Sequence, residues 1–113
     1  KFNYKGKVFV LTNGGSFSNS GVFASLIQEH KRGLIIGTES GGNNVILCGG
    51  ENYYILPNSR IHVFKATHQM IIATGKTNTG RGVIPDIIIY PTLEDQVLNK
   101  DRIMEQVHRL INF

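Results

Sequence analysis

Residues 7–30, KVFVLTNGGSFSNSGVFASLIQEH, decide the fold of this chain. An apolar, β-branched run stops at a glycine pair, passes three alternate serines and enters a helical repeat. Residues 7–12 have the composition of a buried strand, flanked by Gly6 and by Asn13-Gly14-Gly15. From Ser20 to Lys31, the positions of Phe23, Leu26, Ile27 and His30 follow an i, i+3, i+4, i+7 pattern, the inward face of a helix of about three turns. Arg32-Gly33 closes that helix, and Leu34-Ile35-Ile36 reads as a short apolar strand. Strand, helix and strand with tight joints make a βαβ unit, which builds a parallel sheet through a right-handed crossover. The first strand is expected to be central in that sheet, with a partner on each side.

Beyond it the pattern changes. Gly41-Gly42-Asn43-Asn44 and Gly49-Gly50 read as loops around the apolar stretch Val45-Ile46-Leu47. Residues 52–56, 61–66 and 70–74 are short strand candidates divided by turn residues, and they predict an antiparallel patch attached to the parallel unit. A glycine-rich turn, Thr79-Gly80-Arg81-Gly82, leads through Pro85-Asp86 into a strand over residues 87–90. Thr92, with an acidic residue three places on, has the form of a helix cap. The last helix starts near Asp101, with Ile103, Val107, Leu110 and Ile111 on one face. The fold class is therefore α/β: one unit with a mixed sheet, an antiparallel patch and a C-terminal helix.

Composition narrows the function. The 113 residues are 41% hydrophobic, enough for a modest core, and 18% charged, too few for a disordered tail. The net charge of +4 is scattered, with only Lys31-Arg32 adjacent and no alternation of basic and aromatic residues. That footprint argues against nucleic acid as partner. Cys48 is the single cysteine, so an internal disulfide is excluded, and it reads as a small buried hydrophobe. Nothing approaches the ~18 consecutive apolar residues of a membrane-spanning helix. The chain opens without an initiator Met and reads as a piece of something longer, so the lack of a targeting segment carries no weight.

Ser16, Ser18 and Ser20 stand where a helix begins, beside unpaired N–H groups and the positive end of the helix dipole. A serine there can attack a carbonyl while neighbouring N–H groups stabilise the oxyanion. It can equally cap the helix with no chemistry attached, for about 1 kcal/mol. A nucleophile also needs a base. His30 lies twelve residues beyond Ser18, about 18 Å down the helix, too far for proton transfer. His62 in a strand, His68 in a turn and His108 in the last helix have no spacing that ties them to the serines, and they read as structural. No paired-His or Cys/His spacing suggests a metal, and no cofactor is implied. Asn13-Gly14-Gly15 before a helix could cradle an anion, but the lysine of a phosphate loop and the G-x-G-x-x-G pattern are both missing.

Three segments in this order resemble the tail-specific, or C-terminal-processing, serine protease family and its tricorn-like relatives. They are residues 8–12 with Ser16-Phe17-Ser18-Asn19-Ser20 and the helix after it, then Ile36-Gly37-Thr38-Glu39-Ser40-Gly41-Gly42, and then Gly80-Arg81-Gly82-Val83-Ile84-Pro85-Asp86. The resemblance implies a ClpP/crotonase-like fold, incomplete here, with residues 1–113 as the C-terminal portion of a single protease domain. It implies Ser18 as nucleophile and the Asn19 N–H as one oxyanion donor. Ser16 and Ser20 would shape or cap the turn. Gly14, Gly15 and Gly21 would allow tight bending and approach of a substrate strand, with Gly41 and Gly42 in the second motif beside them. Two departures stand out. Asn43 occupies the position of the lysine in the Ser–Lys branch, and an amide cannot take a proton from serine; Gly21 stands where many members carry glutamate. The tricorn-like branch uses an upstream His, so the general base, the second oxyanion donor and the sheet-completing strand are expected outside this chain, and the segment alone is expected to be inactive. The substrate implied is an extended or unfolded polypeptide, and the location implied is the cell envelope. The oligomeric state is left open. Two other readings stand beside it: a catalytically silent relative that binds peptides by strand addition, and a crotonase-like acyl-CoA enzyme, against which the consecutive serines argue.

Overall fold

The structure, a computed structural model, describes residues 3–50, 52–72, 75 and 77–112. The βαβ unit is present as read: β1 (Phe9–Thr12), α1 (Asn19–Glu29) and β2 (Leu34–Gly37), with β1 and β2 parallel and Val10 beside Ile35. A third parallel strand, β7 (Ile87–Ile88), joins the other edge of β2, so the sheet order is β1-β2-β7. The first strand finds only one of its two expected partners among the described residues. β2 is the central strand, flanked on both sides and buried over Ile35, Ile36 and Gly37, whereas β1 pairs on one side only.

The inward face of α1 is also different from the one expected. Gly21, Ala24 and Ser25 are buried, while Phe23 is 56% exposed and His30 lies in solvent. The cause is proximity. Small side chains let the helix settle against the sheet, where Ala24 meets Ile35 and Val83 with Val10 and Ile27 packed around them. Of the expected face, Ile27 alone packs against this cluster. α1 ends with Lys31 in the left-handed region (φ 48°) and the Arg32 N–H on the Ile27 carbonyl at 2.9 Å, the closure in which a chain reverses out of a helix.

The strand candidates of the middle region form one long arm. β3 (Ile46–Gly49) pairs antiparallel with β6 (His68–Ile71), and β4 (Asn52–Ile55) pairs with β5 (His62–Lys65) around a turn at residues 57–60. Gly49, read as a loop, is the last residue of β3, and His68, read in a turn, begins β6; the end of the strand expected at residues 70–74 lies partly outside the described residues. The arm exposes Tyr53, Ile55, Phe64 and Met70, and Tyr53 stacks at a tilt on Phe64 with ring centroids 5.7 Å apart. Cys48 sits on it exposed, not buried as expected. The radius of gyration, 17.9 Å, exceeds the ~13 Å of a compact chain of this length, consistent with an arm that projects from the sheet.

Thr92 caps α2 (Leu93–Val97) as the sequence indicates, through a reciprocal pair with Asp95. The Thr92 hydroxyl and N–H, and then Arg102 (Nε to Oδ1, 2.8 Å), hold the Asp95 carboxyl below its ordinary range. α3 (Arg102–Ile111) is capped by Asp101 and buries Val107; Ile111, placed on the same face by the periodicity, is 54% exposed. Asp86 ties β7 to the core: its carboxylate accepts the N–H of buried Ile35 at 2.8 Å and the Gln28 amide at 3.1 Å. Asp86→Ala orphans the Ile35 N–H and is expected to cost about 1–3 kcal/mol, read as a lower urea midpoint at unchanged slope.

Candidate active site

The serine turn lies at the C-terminal ends of the parallel strands, the end of an α/β sheet at which ligands are bound. Between β1 and α1 the backbone folds on itself: the Asn13 side chain accepts the Gly15 N–H at 2.8 Å, the Ser16 N–H reaches the Asn13 carbonyl at 2.8 Å, and the Ser16 hydroxyl accepts the Asn13 N–H at 3.2 Å. Ser16 is thus engaged in building the turn.

Ser18 is different. It is the N-cap of α1, yet its side chain makes no capping bond, and its backbone sits at φ 56°, ψ −128°. That region favours glycine, and a residue with a Cβ held there costs about 1–3 kcal/mol. The hydroxyl is exposed and, among the described residues, unpartnered. The next N–H, that of Asn19, is also without a partner among them, while the Val22 N–H has already turned to the Ser18 carbonyl at 3.1 Å. No acidic residue occupies the first turn of α1, so nothing there neutralises the positive end of the helix. An open hydroxyl, an open N–H and an uncompensated helix terminus can together receive an oxygen that gains negative charge.

The second glycine motif packs directly on this turn. The Thr38 N–H bonds the Thr12 carbonyl at 2.9 Å, and the Thr12 hydroxyl returns a bond to the Thr38 carbonyl at 2.9 Å. The Gly41 N–H bonds the Ser16 carbonyl at 3.2 Å. A Cβ on Gly41 would stand 1.9 Å from the Gly14 carbonyl oxygen, and one on Gly42 would stand 3.3 Å from the Ser18 nitrogen. Gly14 and Gly15 do not need glycine's positive φ, and a Cβ on Gly14 would meet nothing within 4 Å. Ser20 lies exposed in the first turn of α1 and borders, with Asn19, Leu11 and Phe23, a hollow of about 470 Å³ along the unpaired edge of β1. Another hollow, about 490 Å³, opens between Lys7, Arg32, Leu34 and Leu110 at the opposite end of the sheet and holds none of these serines.

Asn43, in the place of the base of the Ser–Lys branch, is fully engaged elsewhere. Its carbonyl accepts the Val45 and Ile46 N–H groups at 2.8 and 3.0 Å, and its amide donates to Asn78 at 2.8 Å. It fastens the foot of the arm. None of the four histidines bonds Ser18 among the described residues; His68 pairs with the Thr67 hydroxyl at 2.9 Å. Among the described residues no three His, Cys, Asp or Glu side chains gather where they could hold a metal ion, and no helix is long and apolar enough to cross a membrane.

A feature that no local pattern announces is the pairing of Glu39 with Arg81. The Glu39 carboxylate accepts Arg81 Nε and the Gly82 N–H at 2.8 and 2.9 Å, and its other oxygen meets a second guanidinium nitrogen. The Arg81 hydrogen bond first, then the Gly82 N–H, pull the Glu39 carboxyl from 4.5 down to about 2. A carboxyl depressed on folding stabilises the fold fully above about pH 4.5 and loses that contribution as pH falls toward about 2. Arg81→Gln is therefore expected to flatten the acid side of the unfolding midpoint against pH between those limits, and only slightly because the pair is exposed to solvent, with Asp95 titrating alike in both proteins.

Comparison with known proteins gives the family. Residues 1–89 match the sequence profile of peptidase family S41. The chain is 32% identical over 95 residues to a carboxy-terminal-processing protease of Bartonella bacilliformis, covering 83% of this chain and 20% of that protein. It is 29% identical over 102 residues to a tail-specific protease of Haemophilus influenzae, covering 88% of this chain and 15% of that one. Among solved structures, a candidate peptidase from Parabacteroides merdae aligns with 95% of this chain and 32% of its own, at a TM-score of 0.68 and 24% identity, a likeness of fold. The unit is mixed α/β, with an exposed serine at its strand-to-helix turn. The chain belongs to peptidase family S41. It spans about a fifth or less of the length of the two curated relatives.

Proposed function

We propose that this chain carries the nucleophile of a serine peptidase. Ser18 Oγ attacks a peptide carbonyl, a base from outside residues 1–113 takes its proton, and the Asn19 N–H holds the oxyanion. Collapse of that intermediate breaks the C–N bond, the amine leaves with the proton, and water hydrolyses the acyl-enzyme. The observation that carries this reading is the backbone of Ser18. A serine kept as a cap would relax into the extended conformation and gain about 1 kcal/mol from the N–H groups ahead of it. Ser18 does the reverse: it forgoes the cap and occupies a strained conformation that leaves its hydroxyl free.

In this reading residues 1–113 are the C-terminal portion of one protease domain of ClpP/crotonase-like type. The substrate is an extended or unfolded polypeptide, and the protein works in the cell envelope, as the family resemblance implies. Hydrolysis of casein by the full-length protein, measured beside Ser18→Ala, tests it. The purified 113-residue chain is expected to give no turnover above background. One observation favours a silent, peptide-binding relative instead: Asn43 is spent on the arm while the edge of β1 is unpaired among the described residues. Activity in neither the full-length protein nor its variant would select that reading.

A further inference from the structure

We propose that Glu39 and Arg81 form a clasp that holds Ser18 in its strained, reactive backbone conformation, so that both act as positioning residues at a distance from the reacting atoms. The proposal rests on the reading of Ser18 as nucleophile. Three layers are stacked at this end of the sheet. The outer layer is the Arg81-Gly82-Val83 strip, the middle is the loop of residues 38–42, and the inner is the serine turn. The outer and middle layers are joined by the Glu39 fork, by the Ser40 N–H on the Val83 carbonyl at 3.1 Å, and by the Val83 N–H on the buried Ser40 hydroxyl at 2.7 Å. Gly82 lies so close that a Cβ there would stand 2.0 Å from the Ser40 carbonyl oxygen.

The middle layer meets the inner one through the Gly41 N–H on the Ser16 carbonyl and through Gly41 and Gly42, which lie so close that an added Cβ would crowd Gly14, Phe17 and the Ser18 nitrogen. A backbone held in a disfavoured region persists only while its surroundings over-determine it. Beyond Ser16 the serine turn is held only by the Ser20 N–H on the Phe17 carbonyl at 3.2 Å and the Val22 N–H on the Ser18 carbonyl at 3.1 Å, and Ser18 has no side-chain bond of its own. Gly42 is therefore the loop residue nearest Ser18, and Glu39, three residues before it, is fixed by side-chain contacts 42 and 43 positions away in sequence. The pair is a fork-to-fork contact, which sets direction as well as distance; a lysine supplies only a point charge. Being largely exposed on the arginine side, it adds little to global stability, so its main effect is expected at Ser18, with only a small change in the unfolding midpoint.

The test uses the full-length protein with Glu39→Gln, Arg81→Lys and Ser18→Ala, reading kcat and KM on a peptide substrate, the rate of labelling by a fluorophosphonate, and the thermal midpoint. Glu39→Gln is expected to lower kcat and labelling together by about tenfold or more, with KM within about twofold. Arg81→Lys keeps the charge but not the fork and is expected to lose a smaller factor in the same two readouts. That milder variant decides the matter if Glu39→Gln does not fold. The clasp is refuted if both variants keep kcat and labelling near wild type, or change KM alone, while Ser18→Ala is inactive. Activity retained by Ser18→Ala would overturn the underlying assignment, and the clasp with it.

Discussion

Ser18→Gly is expected to abolish hydrolysis and at the same time stabilise the fold, whereas Ser18→Ala abolishes hydrolysis with little change in stability. Alanine keeps the Cβ and therefore keeps the strain of φ 56°, ψ −128°; glycine releases it. The relief of about 1–3 kcal/mol is offset by the greater freedom of glycine in the unfolded chain, about 0.5–1 kcal/mol, leaving a net gain near 1 kcal/mol. Loss of the nucleophile lowers kcat by at least about 10⁴-fold in either variant. Urea titration beside a fluorophosphonate labelling assay separates the two effects. A helix cap predicts a loss in both, with no gain for glycine: Ala destabilised by about 1 kcal/mol, Gly by only a few tenths, and activity retained in both.

The contrast also explains what could be read from the residues and what could not. The βαβ unit was legible because each of its elements is a local run: Val8-Phe9-Val10-Leu11 for β1, Leu34-Ile35-Ile36 for β2, and an eleven-residue helix between glycine-rich breaks. Its packing was less so. Periodicity selected the larger side chains Phe23 and Leu26 as the inner face, but the helix lies too near the sheet for them, and Gly21, Ala24 and Ser25 face inward. The arm was legible as short strands with turns. That its apolar side chains stand exposed follows from what the arm packs against, and composition does not carry that information. At the candidate site, the three motifs fall in segments that the fold packs together, at the C-terminal ends of the parallel strands. The engagement of Asn43 with Asn78 and of Glu39 with Arg81 joins residues 35 and 42 positions apart, and no local pattern encodes such pairs. The strain at Ser18 could not be read either, because serine before a helix is the commonest of caps and propensity points away from the conformation adopted.

Gly41→Ala carries the other large effect, and it tests whether the loop of residues 38–42 shapes the serine turn. The new Cβ would stand 1.9 Å from the Gly14 carbonyl oxygen and 2.9 Å from its carbon, both backbone atoms that no rotamer change can move aside. Either the loop or the turn must retreat by about 1 Å, and a displacement of that size at a reacting centre costs about 10²-fold in rate. The overpacking itself is expected to destabilise by about 1–3 kcal/mol. Neighbouring glycines give the internal controls. Gly14→Ala meets nothing within 4 Å and sits at no positive φ, so it should leave both rate and stability near wild type, or raise stability slightly. Gly42→Ala, at 3.3 Å from Phe17 Cβ and the Ser18 nitrogen, falls between, because those atoms need give only a few tenths of an ångström. The order Gly14, Gly42, Gly41 in rising loss of fluorophosphonate labelling follows from steric distance alone. If Gly41→Ala labels as fast as Gly14→Ala, the loop does not shape the serine turn, and Ser18 must be held by groups outside these layers.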